Sequence, residues 1–215
     1  MISMSVSKSF LSFLEQANRA HRGSFYNATR CPDKYVGRVK EVKNKKRFSA
    51  NIDADEHKTP KSVSRVILLL ESPHIKEFIS EGSPKPACGY TGSRIRNCWS
   101  SVFGDAYDGH ELVIMNAIQY QCSLGFSPLQ KELRDQVFLS MFKGDVVKDL
   151  IDRIQSYKRS GDVLFSALTV GVKESVVKVV SKYIDAEVTH PASWRNEDKI
   201  KYAHKEFCRT LRAVQ

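Results

Sequence analysis

The sequence predicts a three-layer α/β/α fold, in which a central sheet of four mainly parallel strands is covered by helices on both faces. Short apolar runs rich in Val, Ile and Leu alternate along the chain with longer segments whose apolar residues recur at helical spacing. Such alternation is typical of parallel sheets buried between helices. With 215 residues, the chain is long enough for one well-buried domain and short for two.

The first predicted elements precede the periodic part of the chain. Apolar residues between Phe10 and Leu14 predict an amphipathic helix over residues 8–20. Residues 34–62 are polar, with a strongly basic run at 38–47, and we expect a solvated loop there, with a phosphate-binding arm as the alternative. We therefore divide the chain into an N-terminal helix plus basic segment (1–63) and an α/β domain (64–215), and expect them to pack as one compact domain.

Strands and helices alternate from Ser64 onward. Four apolar, β-prone runs predict strands, at 66–70, 112–116, 162–167 and 186–188. Four segments with helical apolar spacing predict the helices, at 93–103, 128–157, 173–183 and 196–213. The Gly144-Asp145 pair is expected to break the second of these segments into two helices.

Charge and cysteine usage narrow the class of partner. The formal net charge of +10 favours a polyanion, nucleic acid before an anionic membrane surface, although a basic surface without a partner would give the same charge. The five cysteines form no CxxC pair, so we expect no zinc site, no disulfide framework and no cofactor, and reduced thiols indicate a cytoplasmic protein. The sequence has no apolar run long enough to span a membrane.

Three polar strings follow apolar runs, where the strands of an open α/β sheet place their active sites. The first is Glu71-Ser72-Pro73-His74, the second is Asn116 after Val113-Ile114-Met115, and the third is His190-Pro191-Ala192-Ser193-Trp194. Taken in this order, the strings resemble the motifs of the uracil-DNA glycosylase superfamily over residues 64–213. Asn116-Ala117 is similar to the family's Asn-Ala/Thr, and the third string is similar to His-Pro-Ser-Pro-Leu. The first string departs from Gly-Gln-Asp-Pro-Tyr in every position but the proline.

The resemblance implies a uracil-DNA glycosylase-like fold and three catalytic residues. Ser72 stands where the best known branch has its water-orienting aspartate, so that role does not transfer directly. Other branches have a Gly-Glu-Ala-Pro form, and Glu71 matches its glutamate, so Glu71 would position a water molecule or stabilise the cationic sugar. Asn116 would read the edge of a flipped pyrimidine, since its carboxamide both donates and accepts. His190 would donate to the base carbonyl as negative charge develops there. A solvated carboxylate for Glu71 and a strand-end cap for Asn116 are the structural alternatives.

The resemblance also implies residues that bind the base and the DNA. His74 replaces a tyrosine that blocks bases with a C5 substituent, so it would open the pocket to a larger base, and Tyr90 would stack on the flipped base. Trp194 would fill the gap left in the duplex, with core packing as the alternative. The residues expected to contact DNA are Ser72, Arg94, Arg96, Ser193, Trp194 and Arg195.

These residues together predict a monofunctional DNA glycosylase. Water would be the nucleophile, because no lysine lies inside the motifs to form a Schiff base. The substrate would be a modified cytosine, as in defence against phage with modified DNA, or uracil, as in repair. A catalytically inactive DNA-binding module with the same fold is the alternative from another class. We expect a monomer that binds single- or double-stranded DNA and uses no metal.

Overall fold

The structure is a computed structural model that describes residues 29–43, 45–78, 83–122 and 130–195. The strands in these residues are β1 (Lys34–Arg38), β2 (Ile52–Asp53), β3 (Arg65–Leu70), β4 (Glu111–Asn116), β5 (Val163–Ser166) and β6 (Ala186–Glu187). The helices are α1 (Val39–Val42), α2 (Tyr90–Phe103), α3 (Gln130–Met141), α4 (Asp145–Tyr157) and α5 (Val170–Val180). Single 3-10 turns lie at Ile75–Glu77, Ser181–Tyr183 and Pro191–Ser193. The helices predicted at 8–20 and 196–213 lie outside the described residues.

The six strands form one mixed sheet in the order β2-β1-β4-β3-β5-β6. Strands β3 to β6 pair in parallel, whereas β1 pairs antiparallel with both β4 and β2. The predicted α/β class is confirmed, and each of the four predicted strands is present. The predicted total of four strands is wrong, and so is the expected solvated loop at 34–62. This segment contributes β1, which pairs with β4, and β2, which pairs with β1. Val36 and Val39 of this segment are fully buried.

Helices cover both faces of the sheet. Alternate strand residues such as Ile67 and Leu69 pack with α3, α4 and α5 in one buried cluster. Their neighbours Val66, Leu68 and Leu70 pack with α1 and α2 in the other. This division follows from the strand geometry, since successive side chains point to opposite faces. None of the helices in the described residues is long and apolar enough to cross a membrane.

The strand order fixes where a ligand site is expected. The chain passes from β3 to β4 on one side and then crosses to β5 on the other side of β3. In open parallel sheets, ligands bind outside the carboxyl ends of the strands at such a reversal. The reversal lies between β3 and β5, and the loop after β3 begins with Glu71.

Helix α2 starts at Tyr90, three residues before the predicted start at Ser93. A close approach of the preceding loop explains the position of Gly92 in its first turn. A Cβ atom on Gly92 would lie 1.6 Å from the carbonyl oxygen of Ala87, so a side chain cannot be accommodated there. The loop is therefore held tightly over the start of α2, and it presents Tyr90 at the carboxyl end of β3.

Candidate functional site

A cavity of about 390 Å³ opens at the carboxyl end of β3, beside the reversal of strand order. Its walls come from the loop after β3, the start of α2, the helix α3 and the loop after β6. The lining residues are Leu70, Glu71, Ser72, His74, Lys76, Glu77, Gly89, Tyr90, Thr91, Arg134, His190 and Ala192. Five residues expected at the site, Glu71, Ser72, His74, Tyr90 and His190, therefore meet around one cavity, although they come from three separate segments of the chain.

Glu71 is buried, with 7% of its surface exposed, and both carboxylate oxygens have partners. Nη1 of Arg134 lies 3.2 Å from Oε1, and the hydroxyl of Thr169 donates to Oε2. Burial raises the pKa of Glu71 above its ordinary value, while the guanidinium of Arg134 opposes that rise. The alternative of a solvated carboxylate is therefore wrong, and Glu71 is part of a buried, charged network at the cavity wall.

Arg134 organises this network, and the sequence analysis missed it. Its Nη2 donates to Thr169 Oγ1 at 3.2 Å, and its Nε donates to Asp135 Oδ1 at 2.8 Å. One helical arginine among several charged residues in α3 is typical of a solvated surface, so its position in the sequence gave no reason to select it. Thr169, the residue before α5, was also missed, because a single threonine ahead of a helix forms no motif in the sequence.

His190 follows β6 and is partly buried in the cavity wall. The backbone N–H of Ala192 donates to its Nδ1 at 3.2 Å, so in the neutral ring the proton is on Nε2. Burial, with a smaller contribution from the nearby Arg134, lowers the pKa of His190 to about 4. At neutral pH the ring is therefore uncharged and fixed in the tautomer that donates from Nε2.

His74 and Tyr90 both line the same cavity. The backbone N–H of Lys76 donates to Nδ1 of His74 at 3.2 Å. Tyr90 is 60% exposed, unusually high for a large aromatic residue, and Arg94 Nε donates to its hydroxyl at 2.8 Å. The guanidinium of Arg94 also lies 5.0 Å from the centre of the ring. Tyr90 therefore presents an aromatic face at the mouth of the cavity, with a cation beside it.

Asn116 ends β4 and is buried next to the cavity, but it is not among the residues that line it. Its register partner on β3 is Leu70, which does line the cavity. Its backbone N–H donates to Asp33 Oδ1 at 3.2 Å, and Arg153 Nη1 donates to its carbonyl at 3.0 Å. Its buried Nδ2 has no hydrogen-bond partner among the described residues. The structure thus places the Asn116 side chain behind the wall rather than at its surface.

Two predicted DNA contacts are wrong. Trp194 is 2% exposed, packs against Trp99 and Phe103, and donates from Nε1 to the carbonyl of Thr189, so it is a core residue and not a wedge. Arg96 is 8% exposed, and its Nε donates to the carbonyl of Lys45 at 3.1 Å. The burial of Arg96 between α2 and the segment that contains Lys45 and Phe48 removes it from the surface that DNA would touch.

Ser193 and Arg195 lie on the exposed side of the loop after β6. Ser193 Oγ donates to the carbonyl of His190 at 2.7 Å, which stabilises the single turn carrying His190. Ser193 therefore has a structural contact, and Arg195 is exposed beyond it. Neither lines the cavity.

Glu77 is a second residue that the sequence analysis missed. Only 6% of it is exposed, and it lines the cavity. The backbone N–H of Ala87 donates to its Oε1 at 2.9 Å, and burial raises its pKa to about 8, so it carries a proton at neutral pH. Ala87 has a φ of +53°, a left-handed conformation that L residues rarely adopt. Glu77 thus holds the strained loop that leads into Tyr90.

A larger cavity, of about 480 Å³, contains none of the predicted site residues. It lies beside α4 and is lined by Arg30, Asp55, Tyr120, Asp145, Lys148, Asp149, Asp152, Arg153 and Ser156. Three of its charged groups form one cluster, in which Arg153 lies 2.7 Å and Arg30 lies 3.6 Å from Asp149. Size alone would favour this cavity, but the reversal of strand order and the cluster around Glu71 favour the smaller one.

In the described part of the chain, no group of three or more His, Cys, Asp or Glu side chains is arranged to hold a metal ion. Comparison of the chain with protein-family models, with curated proteins and with solved structures finds no match. The functional argument therefore rests on the cavity at the end of β3 and on the residues that line it.

Proposed function

We propose that the protein is a DNA glycosylase that flips a pyrimidine base into the cavity after β3 and hydrolyses its N-glycosidic bond. The observation that carries the proposal is that one cavity gathers Glu71, His74, Tyr90 and His190 from three segments of the chain. A stacking ring, a neutral donor and a carboxylate are the groups that base excision needs. The finer assignment to a uracil-DNA glycosylase-like fold belongs to the same proposal.

His190 would stabilise the departing base. Excision leaves negative charge on the base, and a donor already fixed at its carbonyl lowers the barrier without reorganisation. The bond from Ala192 N–H to Nδ1 supports this role, because it leaves Nε2–H free to donate to a ligand. The pKa of about 4 keeps the donor neutral, so it stabilises charge on the base without transferring a full proton.

Glu71 would face the sugar, where positive charge develops. Its carboxylate is fixed by Arg134 and Thr169, which orient it. Each carboxylate oxygen has a further lone pair, so a water molecule can still be held for attack on the sugar. Arg134 also weakens the negative charge of Glu71, and this limits how strongly Glu71 alone can stabilise a cation.

The residues around the base favour a substituted pyrimidine over uracil alone. His74 stands in the cavity wall where the resemblance places a blocking tyrosine, and Tyr90 at the mouth would stack on the base. Chemically, the substrate would be a cytosine with a bulky group at C5, and the reaction would leave an abasic site. Uracil repair is the competing substrate assignment.

The test is base release from a panel of DNAs, with abasic sites detected by alkaline cleavage. The panel contains uracil, thymine mismatches, hydroxymethylcytosine and glucosylated hydroxymethylcytosine in intact phage DNA. We expect release of the bulky base, and a loss of about 10²–10³ in rate for His190→Ala. His110→Ala, on the loop before β4, is the matched control and should retain full activity. Release of uracil alone would indicate that the protein is a uracil repair enzyme.

A catalytically inactive DNA-binding module is the second candidate. The ion pair between Arg134 and Glu71 favours it, because it partly neutralises the carboxylate that catalysis needs. DNA binding without base release from any member of the panel would support this candidate and contradict the glycosylase. Base release that Glu71→Gln and His190→Ala leave unchanged would instead show that the site is wrongly placed.

A further inference from the structure

The basic segment that precedes β2 is held against helix α2. Arg96 in α2 donates from Nε to the carbonyl of Lys45 at 3.1 Å, and its guanidinium lies 4.8 Å from the centre of the Phe48 ring. Phe48 in turn lies beside Gly92, where a Cβ atom would meet it at 3.1 Å. The backbone of residues 45–48 therefore lies along one flank of α2, close to the end that carries Tyr90.

Three cations of this segment project into solvent. Lys45, Lys46 and Arg47 are exposed, and no carboxylate of the described residues forms an ion pair with them. Lys43, just before them, is different, because Asp105 and Asp108 both pair with it. The three exposed cations thus form a positive surface whose charge is not neutralised from within the described structure.

Further cations continue this surface toward the cavity. Arg94 lies on the exposed ridge of α2, one turn after Tyr90, which lines the cavity mouth. On the opposite flank of α2, the Cys98 thiol donates to the carbonyl of Trp194 at 3.9 Å. Arg195, which follows Trp194, is exposed. Helix α2 therefore has the segment with Lys45, Lys46 and Arg47 along one flank and carries Arg94 one turn from the cavity, which lies at its N-terminal end.

We propose that Lys45, Lys46 and Arg47, together with Arg94, form a phosphate-binding track that holds the DNA strand beside the cavity. The inference rests on the proposed function, because it takes DNA as the partner. Lysine and arginine side chains on an ordered backbone neutralise phosphates and set the register of the strand without reading its sequence. Arg96, although buried, is a positioning residue, since it fixes the backbone from which the three cations project.

The test compares the salt dependence of duplex DNA binding in two triple variants. One carries Lys45→Ser, Lys46→Ser and Arg47→Ser. The control carries Lys143→Ser, Lys148→Ser and Lys178→Ser, three exposed lysines from the opposite helix layer with the same total charge. Binding is measured between about 50 and 200 mM salt, and circular dichroism checks that both variants are folded. We expect the slope of log K against log salt to fall by about 0.9 for each lost phosphate contact, so by about 2–3 in the first variant and by less than 1 in the control.

The outcomes separate this inference from the proposed function. Equal slopes for the two variants would overturn the track, whether or not the wild-type protein releases a base. A reduced slope in the first variant alone would support it, even if no DNA of the panel lost a base. Arg96→Met adds an independent check, because it keeps the three cations but loosens their backbone. It should weaken binding with little change in slope, and unchanged affinity would contradict the positioning role.

Discussion

At the scale of single residues, the protonation of His190 couples the candidate chemistry to stability. Its folded-state pKa, about 4, lies below the ordinary value of 6.5, so the neutral ring contributes stability that is complete above pH 6.5. That contribution is lost as the pH falls from 6.5 toward 4. We expect the free energy of unfolding of the wild type to fall more between pH 7.5 and pH 4.5 than that of His190→Asn. Urea unfolding of both proteins at the two pH values measures this. A pH-independent difference would contradict the buried neutral ring.

Glu77 has the opposite pH dependence. Its folded-state pKa of about 8 lies above the ordinary 4.5, so the folded state binds a proton that the unfolded state releases between these values. The stability of the wild type should therefore fall as the pH rises from 4.5 to 8. The isosteric Glu77→Gln has no such proton, and we expect it to be more stable than the wild type at pH 8.5 and about equal at pH 4.5. Thermal unfolding at both pH values measures this, and a constant gap would contradict it.

Sequence patterns identified some residues of the cavity because those residues follow strands. Glu71, Ser72, His74 and His190 come directly after apolar runs, and strand ends meet in a parallel sheet. Arg134 and Glu77 could not be selected in this way, because their positions depend on how α3 and the loop after β3 pack against the sheet. Trp194 was assigned to DNA by resemblance alone, whereas a large apolar ring is buried by default wherever a core can accept it.

At the scale of elements, Trp194 links the loop after β6 to α2. It packs on Trp99 and Phe103, so replacing it with alanine leaves a cavity between the two elements. We expect Trp194→Ala to lower the free energy of unfolding by about 3–5 kcal/mol in urea titrations. Arg195→Ala, one residue later and exposed, should change it by less than about 0.5 kcal/mol. A small cost at Trp194 would restore the wedge as a reasonable role.

The buried ion pair between Asp33 and Arg153 links β1 to α4. Nη1 of Arg153 lies 2.8 Å from Asp33 Oδ2, and the same guanidinium donates to the carbonyls of Asn116 and Ala117. Removing it leaves the buried Asp33 carboxylate without a counter-ion and takes one donor from each of the two carbonyls, so we expect Arg153→Met to cost about 3–5 kcal/mol of unfolding free energy. Asp149→Asn removes only the more exposed partner and should cost less than about 1 kcal/mol. Similar costs for both would contradict a structural role for the buried pair.

The elements after Ser64 were predictable because the apolar residues of each one follow a single pattern, either helical spacing or a continuous β-prone run. Helix α4 and strand β3, for instance, differ from their predicted bounds by a few residues at most. Strand β1 was not predictable, because only Val36 among its residues is a strongly apolar β-former, and the surrounding lysines and arginines dominate the composition. Its pairing with β4 is a tertiary effect that no local pattern records.

At the scale of the whole molecule, the sheet extends across the boundary that composition suggested at residues 63 and 64. Strand β1 pairs with β4 in the middle of the described chain, and it covers an edge that would otherwise be open. We expect a protein that starts at residue 64 to aggregate, because it exposes the edge of β4 and leaves Arg153 without Asp33. A protein that starts at Thr29 keeps both strands, and we expect it to sediment as a monomer. A stable monomer from residue 64 would show that β1 and β2 are dispensable.

The position of β4 between β1 and β3 has a consequence for synthesis on the ribosome. Strands β1, β2 and β3 all leave the ribosome before β4, yet β1 and β3 are not neighbours in the finished sheet. About 70 residues separate β1 from β4, so at roughly 5–20 residues per second its partner arrives some 4–15 s later. During that interval the nascent chain must keep β1 from pairing with β3. The basic residues after β1 are strongly hydrated, and this disfavours the early burial of that segment against β3.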